Sequence, residues 1–230
     1  MKKAGIIGGI GPASTLDYYD GIIKGVRALS HGEDYPRFVV NSVNMTQMIG
    51  YVAAGQTDKL TEMLAGAVSE VAAAGADFAA IASNTPHIVF DAVQSRSKLP
   101  LISIVDETCQ NAVRSGCRRV VVLGTLFTMR SGLYTKAFKQ CGIEAFVPDA
   151  QGQEEVYGII YPNLENGIVL KEEKQKLLDI SEQLIRIHQA DALVLGCTEL
   201  PLAIKKGDLD TIILDTAQIH IESIVREILA

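Results

Sequence analysis

Residues 76–85 read Ala-Asp-Phe-Ala-Ala-Ile-Ala-Ser-Asn-Thr, and residues 190–199 read Ala-Asp-Ala-Leu-Val-Leu-Gly-Cys-Thr-Glu. The two stretches align without a gap at an offset of 190 − 76 = 114 residues, which sets Ser83 opposite Cys197. Each contains a short apolar run typical of a buried parallel strand, followed by small polar residues. We therefore predict an internal repeat whose two halves each present a polar strand end.

A second matching pair supports the repeat. Residues 6–9 align with residues 122–125 at an offset of 122 − 6 = 116, and Tyr18 aligns with Tyr134 at the same offset. Buried strands share an Ala-, Val- and Ile-rich composition, so one match alone is weak evidence. Two matches at nearly equal offsets favour a duplication.

Short β-branched runs alternate with longer stretches of helical spacing along the chain, which predicts an α/β fold with mostly parallel sheet. Strands are predicted at residues 4–8, 37–43, 78–83, 101–105, 119–124, 192–197 and 211–214. Helices are predicted at about residues 12–29, 58–74, 87–96, 106–115, 128–140, 153–166, 171–189, 199–206 and 216–229.

The repeat also predicts how the chain divides. Residues 211–230 resemble residues 101–115 in pattern, so we expect the C-terminal segment to return and complete the first half. This gives a first domain of residues 1–97 plus 211–230 and a second domain of residues 98–210. Each half would supply strand ends to a shared crevice, where α/β proteins bind their ligands.

Composition and charge narrow the classes of partner. The chain has 230 residues, is 48% hydrophobic and carries a formal net charge of -6, with Lys and Arg scattered along it. These features argue against nucleic acid and anionic membrane and favour a small molecule. No stretch suits a signal peptide or a membrane span, so we expect a cytoplasmic protein.

Cys197 has the clearest chemical context of the four cysteines. It follows an apolar strand and precedes a predicted helix, whose N-terminus would favour the thiolate and lower the thiol pKa toward neutrality. The alternative is a small buried side chain at a strand end. The other three, Cys109, Cys117 and Cys141, form no CxxC motif and are interpreted as packing residues, so neither disulfides nor structural zinc are expected.

Two further strand ends carry polar or glycine motifs. Ser83, followed by Asn84, Thr85, Pro86 and His87, could cap a helix, contact a ligand carboxylate, or do both, whereas His87 is more often structural in such a position. The run Gly-Gly-Ile-Gly-Pro at 8–12 resembles a dinucleotide-binding loop but has Ser14 where a third glycine is required, which argues against nucleotide binding.

Four motifs together resemble the aspartate/glutamate racemase superfamily over the whole chain. They are Gly-Gly-Ile-Gly-Pro at 8–12, Ser-Asn-Thr-Pro-His at 83–87, Leu-Gly-Thr at 123–125 with Thr128 and Met129, and Gly-Cys-Thr-Glu-Leu at 196–200. The resemblance implies two pseudo-symmetric flavodoxin-like parallel-sheet domains with the active site in the cleft between them. It further implies a homodimer that racemises amino acids, aspartate or glutamate foremost, without pyridoxal phosphate, metal or other cofactor.

The resemblance also implies roles for particular residues. In this family two cysteines face opposite sides of the substrate Cα, one removing its proton and the other returning a proton. Cys197 corresponds to one of them and would be the main acid/base, while Ser83 stands in place of the other. The implied substrate-binding residues are Gly9, Ile10, Gln47, Asn84, Thr85, Thr125 and Thr198.

Two departures from the family pattern affect these expectations. Ser83 is a far weaker acid than a thiol, so we expect unequal turnover of the two enantiomers. Residues 38–58, which surround the loop where a cation would hold an acidic side chain, contain no Lys or Arg. Either Arg130 or Lys171 supplies that cation, or the substrate is not acidic, because an unpaired buried carboxylate is costly.

Two other functions stay open at this point. Malonate-type decarboxylases of the same superfamily keep only the later cysteine, which protonates the enediolate after carbon dioxide leaves, and Cys197 with Ser83 suits that arrangement. A homologue that binds amino acids but has lost turnover with the first thiol is the third possibility.

Overall fold

The computed structural model describes residues 1–32 and 34–230 and contains two four-stranded parallel sheets. The first sheet has the order β2-β1-β3-β4, with β1 at Ala4–Gly8, β2 at Phe38–Ser42, β3 at Phe78–Ile81 and β4 at Leu101–Ile102. The second has the order β6-β5-β7-β8, with β5 at Arg119–Gly124, β6 at Glu144–Phe146, β7 at Ala192–Gly196 and β8 at Ile212–Asp215. The identical strand orders confirm the predicted α/β fold and its two similar halves.

Helices connect the strands in both halves. They are α1 (Pro12–Leu29), α2 (Met45–Ala53), α3 (Thr57–Ala73), α4 (Phe90–Arg96), α5 (Ile104–Arg114), α6 (Leu126–Arg130), α7 (Leu133–Gln140), α8 (Ala150–Ile160), α9 (Lys171–His188), α10 (Leu200–Ala203) and α11 (Thr216–Leu229). Short 3-10 helices lie at Thr85–Val89 and Leu164–Asn166. Within the described ranges, no helix is long and apolar enough to cross a membrane.

Several element predictions were wrong in detail. The sequence pattern missed β6 and α2, and the helix predicted at 128–140 is interrupted, because Gly132 takes a left-handed conformation with φ 72 between α6 and α7. The strand predicted at 101–105 is two residues long, and α5 begins at Ile104. The helix predicted at 199–206 shortens to the four residues of α10.

The chain forms two compact units, whose boundaries differ from the predicted domains. The first unit contains residues 1–104 and 217–230, and the second contains residues 105–216. Residues 101–102 belong to the first sheet because β4 pairs with β3, and residues 212–215 belong to the second because β8 pairs with β7. The C-terminal segment therefore returns to the first unit as helix α11 alone, without its strand.

Both faces of the first sheet are covered, as a parallel sheet requires. Successive residues of β1 point to opposite faces, so that Ala4 and Ile6 join one core cluster while Ile7 joins another. The first cluster includes Ile22 of α1 and Ile224 of α11, and the second includes Leu64 of α3.

The second sheet packs Val121 and Leu123 of β5 and Leu193 and Leu195 of β7 into one core cluster. The same cluster contains Cys197, Val156 of α8, Leu177 of α9 and Leu200 of α10. At the carboxyl ends of β5 and β7, Gly124 and Gly196 are register partners. Their backbones approach so closely that a Cβ on Gly196 would lie 2.9 Å from the carbonyl oxygen of Leu123.

Candidate active site

The turn after β1 depends on a glycine. Gly9 has φ +82, and a Cβ there would lie 2.6 Å from the carbonyl oxygen of Val43. Its N–H donates to Oγ1 of Thr15 at 2.8 Å, which ties the turn to the first turn of α1. Ile10, predicted to bind substrate, has its side chain in the core at 1% exposure, so only its backbone could reach a ligand.

The turn after β3 carries Ser83, Asn84 and Thr85 at the carboxyl edge of the first sheet. Ser83 is half-buried and its N–H donates to the carbonyl oxygen of Ile81 at 2.9 Å, while Asn84 is buried. Thr85 begins a 3-10 helix that ends at Val89, so the α-helix predicted at 87–96 begins only at Phe90. These predicted residues thus lie together in one strand-end turn.

His87 holds this turn in place. Its Nδ1–H donates to the carbonyl oxygen of Ser83 at 2.8 Å, and its Nε2 accepts from the N–H of Ile104 at 3.2 Å. Burial and the neighbouring His220 lower the pKa of His87 to about 3, so the ring is neutral at ordinary pH. His87 therefore has the structural role that its sequence context favoured.

A second buried histidine, which the sequence did not indicate, fixes the end of β4. Nε2 of His220 lies 2.9 Å from the carbonyl oxygen of Ile102 and donates to it, while Nδ1 lies 2.7 Å from the hydroxyl of Tyr18. Burial lowers the pKa of His220 to about 4. Two neutral imidazoles thus support the carboxyl edge of the first sheet.

The loop after β2 leads into α2, where the predicted residue Gln47 lies. Asn44 caps this helix, accepting the N–H of Gln47 at 3.0 Å. The side-chain amide of Gln47 donates to the hydroxyl of Tyr51 at 2.8 Å, and Lys59 lies over the ring of Tyr51, 5.8 Å from its centre. The side chains at this strand end are thus a neutral amide and a phenol, with the ammonium of Lys59 over the phenol ring.

In the second unit Thr125 follows β5 and caps α6. Its Oγ1 accepts the N–H of Thr128 at 3.2 Å and lies 3.1 Å from the Thr128 hydroxyl. Arg130, one of the two cations considered for an acidic substrate, donates to Gln153 at 3.1 Å and to Glu154 at 2.6 Å. The other, Lys171, is exposed at the start of α9.

Cys197 lies at the end of β7, directly beside the β5 end that carries Thr125, since Gly124 and Gly196 are paired. The Cys197 side chain is 5% exposed, and its Sγ donates to Oε2 of Glu199 at 2.9 Å. The hydroxyl of Thr198 donates to the same oxygen at 3.0 Å. Sequence reasoning quoted Glu199 as part of a motif but missed its contact with the thiol.

The prediction of a lowered pKa for Cys197 was wrong. Burial raises the pKa of this thiol well above its usual value, and the negative charge of Glu199 raises it further. Helix α10 has only four residues, so its N-terminal dipole is too small to offset these effects. In the free protein Cys197 is therefore a thiol hydrogen-bonded to a carboxylate.

A second carboxylate belongs to the same surroundings. Glu165 lies in the 3-10 helix that follows α8, next to Leu164, which shares a core cluster with Cys197 and Leu200. Burial and the charge of Glu199 raise the pKa of Glu165, and the charge of Glu165 contributes in turn to the raised pKa of Cys197. Sequence reasoning did not single out Glu165.

The remaining cysteines have no such surroundings. Cys109 is buried, and burial together with the nearby Cys141 thiol raises the pKa of Cys109 far above its usual value. Burial also raises the pKa of Cys117. Across residues 1–32 and 34–230, no three His, Cys, Asp or Glu side chains are grouped so that they could hold a metal ion.

Fold and site together define a duplicated parallel α/β protein with a buried thiol at one strand end and a hydroxyl at the matching strand end. The sequence profile of the Asp/Glu/Hydantoin racemase family matches residues 7–224, so the chain belongs to this family. Amino-acid racemases are isomerases, and members of this family act on amino acids.

Individual relatives agree with this assignment. The broad specificity amino-acid racemase RacX of Bacillus subtilis is 28% identical over 232 residues, which cover 98% of each chain. The solved structure of an aspartate racemase homologue from Pyrococcus horikoshii, PH1733, has a TM-score of 0.89 at 35% identity and full coverage of both chains. A candidate Asp/Glu racemase from Yersinia pestis has a TM-score of 0.93 at 29% identity, also with full coverage.

The decarboxylase alternative has a weaker structural relative. Arylmalonate decarboxylase matches with a TM-score of 0.62 at 14% identity, covering 98% of this chain and 92% of that one. Such a match shows a shared fold and carries no information about the reaction.

Proposed function

We propose that this protein racemises amino acids by removing and returning a proton at Cα, with Cys197 as the main acid/base and Ser83 as the opposing group. The observation that carries the proposal is the 2.9 Å hydrogen bond from the Cys197 thiol to Glu199. A thiol beside a carboxylate has an acceptor for its proton, so it can alternate between acid and base. The corresponding positions of Ser83 after β3 and Cys197 after β7 in the two repeats support the choice of Ser83 as the opposing group.

The proton transfers follow from this contact. As base, Cys197 passes its proton to Glu199 and takes the Cα proton of one enantiomer. The α-ammonium of a bound amino acid favours the thiolate, because a nearby positive charge lowers the thiol pKa. Ser83 then donates its hydroxyl proton to the opposite face of Cα. Its oxygen regains a proton from solvent, and Glu199 releases to solvent the proton that it received from Cys197. Because a serine hydroxyl is a far weaker acid than a thiol, the proton transfer at Ser83 is the slower step in both directions. The L and D isomers are equally stable, so kcat/KM is the same for both, and unequal turnover of the two enantiomers means unequal kcat with KM changed in proportion.

The substrate carboxylate takes up negative charge when Cα loses its proton. Groups that donate hydrogen bonds to it lower the barrier, provided that they are already in place. Asn84 and Thr85 follow Ser83 after β3, Thr198 follows Cys197 after β7, and Thr125 follows the neighbouring strand β5. These four residues are proposed for this role. Gly9 is proposed to let the backbone approach the substrate closely, since it carries no side chain, and Gln47 is proposed to contact the substrate side chain.

Replacing the thiol tests the proposal directly. In heavy water, the wild-type protein should exchange the Cα proton of at least one common amino acid, as read by proton NMR. Cys197→Ser should slow that exchange by about a thousandfold or more, because the acid/base group is lost. Cys141→Ser, which changes an exposed cysteine, is the matched control and should keep the wild-type rate. Exchange that survives in the Cys197 variant would rule out thiol catalysis.

The remaining expectations from the family resemblance form part of the proposal: catalysis without a cofactor, a homodimer and a cytoplasmic location. Dialysis against a chelator and a search for pyridoxal absorbance test the first of these. Size-exclusion chromatography with light scattering tests the second, and fractionation of the source cells tests the third.

A malonate-type decarboxylase is the second candidate. It is favoured because, of the two corresponding strand ends, that of β7 carries the thiol Cys197 and that of β3 carries Ser83. In that case, substituted malonates would release carbon dioxide in a Cys197-dependent reaction, and no amino acid would exchange its Cα proton. An absence of both reactions, with an amino acid still bound, would indicate a binding protein.

A further inference from the structure

The amino edge of the first sheet holds a cavity that lies entirely within the first unit. Lys3 directly precedes β1 and Arg37 directly precedes β2, and both residues line this cavity, whose volume is about 420 Å³. Lys3 and Gly9 flank β1 at its two ends, roughly 20 Å apart, because each residue of a strand adds about 3.3 Å. Cavities that bind small molecules typically have volumes of about 300–1,000 Å³. The cavity is therefore large enough for a small molecule and is well separated from the turn at Gly9.

Aromatic rings form part of the cavity wall. The ring centres of Tyr19 on α1 and Phe38 on β2 are 5.2 Å apart, with the ring planes tilted by 58°. The ring of Tyr35 lies beneath the guanidinium of Arg27, which is 4.7 Å from the ring centre. Tyr19 is 52% exposed and Tyr35 is 60% exposed, so much of both side chains is open to a ligand. Such rings favour contact with a further aromatic ring, edge to face or offset.

The charge of the cavity wall is positive. Of the lining residues that the structure describes, Lys3 and Arg37 are cationic and none is anionic. The ion pairs found within residues 1–32 and 34–230 include neither of these two cations. The ammonium of Lys3 donates to the carbonyl oxygen of Ala74, and an ammonium has three donors in all. A guanidinium such as that of Arg37 can bind a carboxylate or phosphate through two parallel hydrogen bonds.

We propose that this cavity binds a small anion that carries an aromatic ring, of the aryl carboxylate or aryl phosphate class. Arg37 and Lys3 hold the anionic group, and the rings of Tyr19, Tyr35 and Phe38 contact the ring of the ligand. A free amino acid fits this wall poorly, because its ammonium would lie near the same two cations as its carboxylate. The site is therefore distinct from the proposed racemase site and does not rest on that function.

The ligand class is tested by isothermal titration calorimetry with phenylacetate and phenyl phosphate as probes. At least one of them should bind with a dissociation constant of about 1 mM or lower. The tighter of the two identifies the anionic group that the cavity prefers. Phenylacetamide keeps the ring without the charge and acetate keeps the charge without the ring, so each should bind about tenfold or more weakly than phenylacetate. Added salt should weaken phenylacetate binding, since it screens charges that solvent can reach.

The roles of Arg37 and Tyr35 are tested with variants at these exposed positions. Arg37→Met should raise the dissociation constant of phenylacetate by about tenfold, whereas Arg37→Lys should raise it less because the charge is kept. Tyr35→Leu should raise it by about threefold or more through the lost ring contact. The matched control is Arg96→Met, which removes an exposed arginine from α4, next to the strand β4 at the other side of the sheet from β2. This control should bind phenylacetate like the wild type.

Amide NMR shifts locate the bound probe. Phenylacetate should shift the amides of residues 3–4, 19–23 and 35–39 more than those of residues 83–85. Shifts confined to residues 83–85, equal affinity for phenylacetate and phenylacetamide, wild-type affinity in Arg37→Met, or no binding of either aryl anion would each overturn the inference.

Cys197→Ser separates this inference from the proposed function, because it removes the proposed acid/base group and should bind phenylacetate with wild-type affinity. A protein that binds phenylacetate at this cavity but exchanges no Cα proton would refute the racemase proposal alone. A protein that exchanges Cα protons but binds no aryl anion would refute the cavity proposal alone.

Discussion

At the residue scale, the ionisation of Cys197 is decided by burial rather than by helix polarity. The dipole of a helix end typically stabilises a nearby charge of suitable sign by about 0.3–1 kcal/mol. This stabilisation comes from several aligned peptide groups. Helix α10 supplies one turn, whereas the thiol is 5% exposed and bonded to an anionic carboxylate. Both of these stabilise the neutral thiol, so Cys197 is protonated in the free protein.

The charge of Glu199 gives the pH dependence of thiol reactivity a definite sign. Because the anion raises the pKa of Cys197, Glu199→Gln should lower that pKa and move the alkylation profile of Cys197 to lower pH. Peptide mass spectrometry after treatment with iodoacetamide at several pH values measures this profile. Glu199→Asp, which keeps the negative charge, should leave the midpoint closer to that of the wild type. A shift to higher pH in the glutamine variant would contradict this account of the thiol.

Two neutral histidines make the first unit sensitive to acid. The pKa values of His87 and His220 in the folded protein are about 3 and about 4, against about 6.5 for an unfolded histidine. The unfolded chain therefore binds more protons as the pH falls below 6.5, and the stability present above that pH is lost progressively toward pH 4. Each histidine contributes up to about 1.4 kcal/mol per pH unit in this range.

Substituting His87 should separate its structural and titrating contributions. At pH 7.5, His87→Gln should lower the free energy of unfolding by about 1–3 kcal/mol, since the hydrogen bonds of the buried ring to the Ser83 carbonyl and the Ile104 N–H are lost. Between pH 6 and 4 the same variant should lose stability less steeply than the wild type, by up to about 1.4 kcal/mol per pH unit, because one of the two titrating rings is gone. Urea unfolding at each pH gives both quantities, and His31→Asn, an exposed site, should show the wild-type slope.

At the element scale, the close approach of β5 and β7 positions the thiol. A Cβ on Gly196 would meet the carbonyl oxygen of Leu123 at 2.9 Å and Thr128 at 3.2 Å. The first of these is backbone and cannot rotate away, so the two strand ends would have to separate. The position of Cys197, the next residue, depends on this contact.

Gly196→Ala should therefore lower both stability and activity. We expect a loss of about 1–3 kcal/mol in the free energy of unfolding, together with slower Cα exchange, because overpacking shifts the backbone. Gly158→Ala is the matched control, since that glycine lies in α8 with no atom within 4 Å of the added Cβ. The control should gain up to about 1 kcal/mol from helix propensity. Equal effects at the two sites would refute the packing argument.

Elements with strong periodicity could be predicted from the sequence, and those with weak signals could not. Strand β1 and helices α1 and α11 have the predicted bounds, because their apolar residues recur at regular spacing and α1 begins at a proline. Strand β6 has three residues, too few to show alternation, and α2 contains Thr46 and Gly50, which are poor helix formers. The pairing of β8 with β7 assigns β8 to the second sheet. No pattern in the sequence around β8 indicates this pairing.

The candidate site, like the fold, could be predicted from the sequence only in part. The internal repeat was enough to match Ser83 with Cys197, because strand ends recur at a fixed offset in a duplicated chain. The contact of Glu199 with the thiol and the approach of Glu165 depend on side-chain positions that no sequence pattern records. The pKa of Cys197 was predicted in the wrong direction because the sequence shows the helix that follows but not the depth of burial.

At the scale of the whole molecule, the two halves exchange their last helices. Strand β4 belongs to the first sheet, but most of α5, which follows it, belongs to the second unit. Strand β8 belongs to the second sheet, but α11, which follows it, packs in the core of the first unit. Each unit is therefore completed by a helix whose preceding strand lies in the other sheet. A division at the predicted domain boundaries would separate β4 from the first sheet and β8 from the second.

The contribution of α11 to the first unit can be measured at one residue. Ile224 is fully buried in the cluster that contains Ile22 and Ile6, so Ile224→Ala should cost about 2–5 kcal/mol through lost burial and a residual cavity. Ile187 on α9 is 59% exposed, and Ile187→Ala, the same chemical change, should cost less than about 0.5 kcal/mol. Because α11 completes the first unit, amide hydrogen exchange should show the largest loss of protection for Ile224→Ala in β1 and β3. If protection were lost in β5 and β7 instead, α11 would not complete the first unit, and the exchange of helices would be wrong.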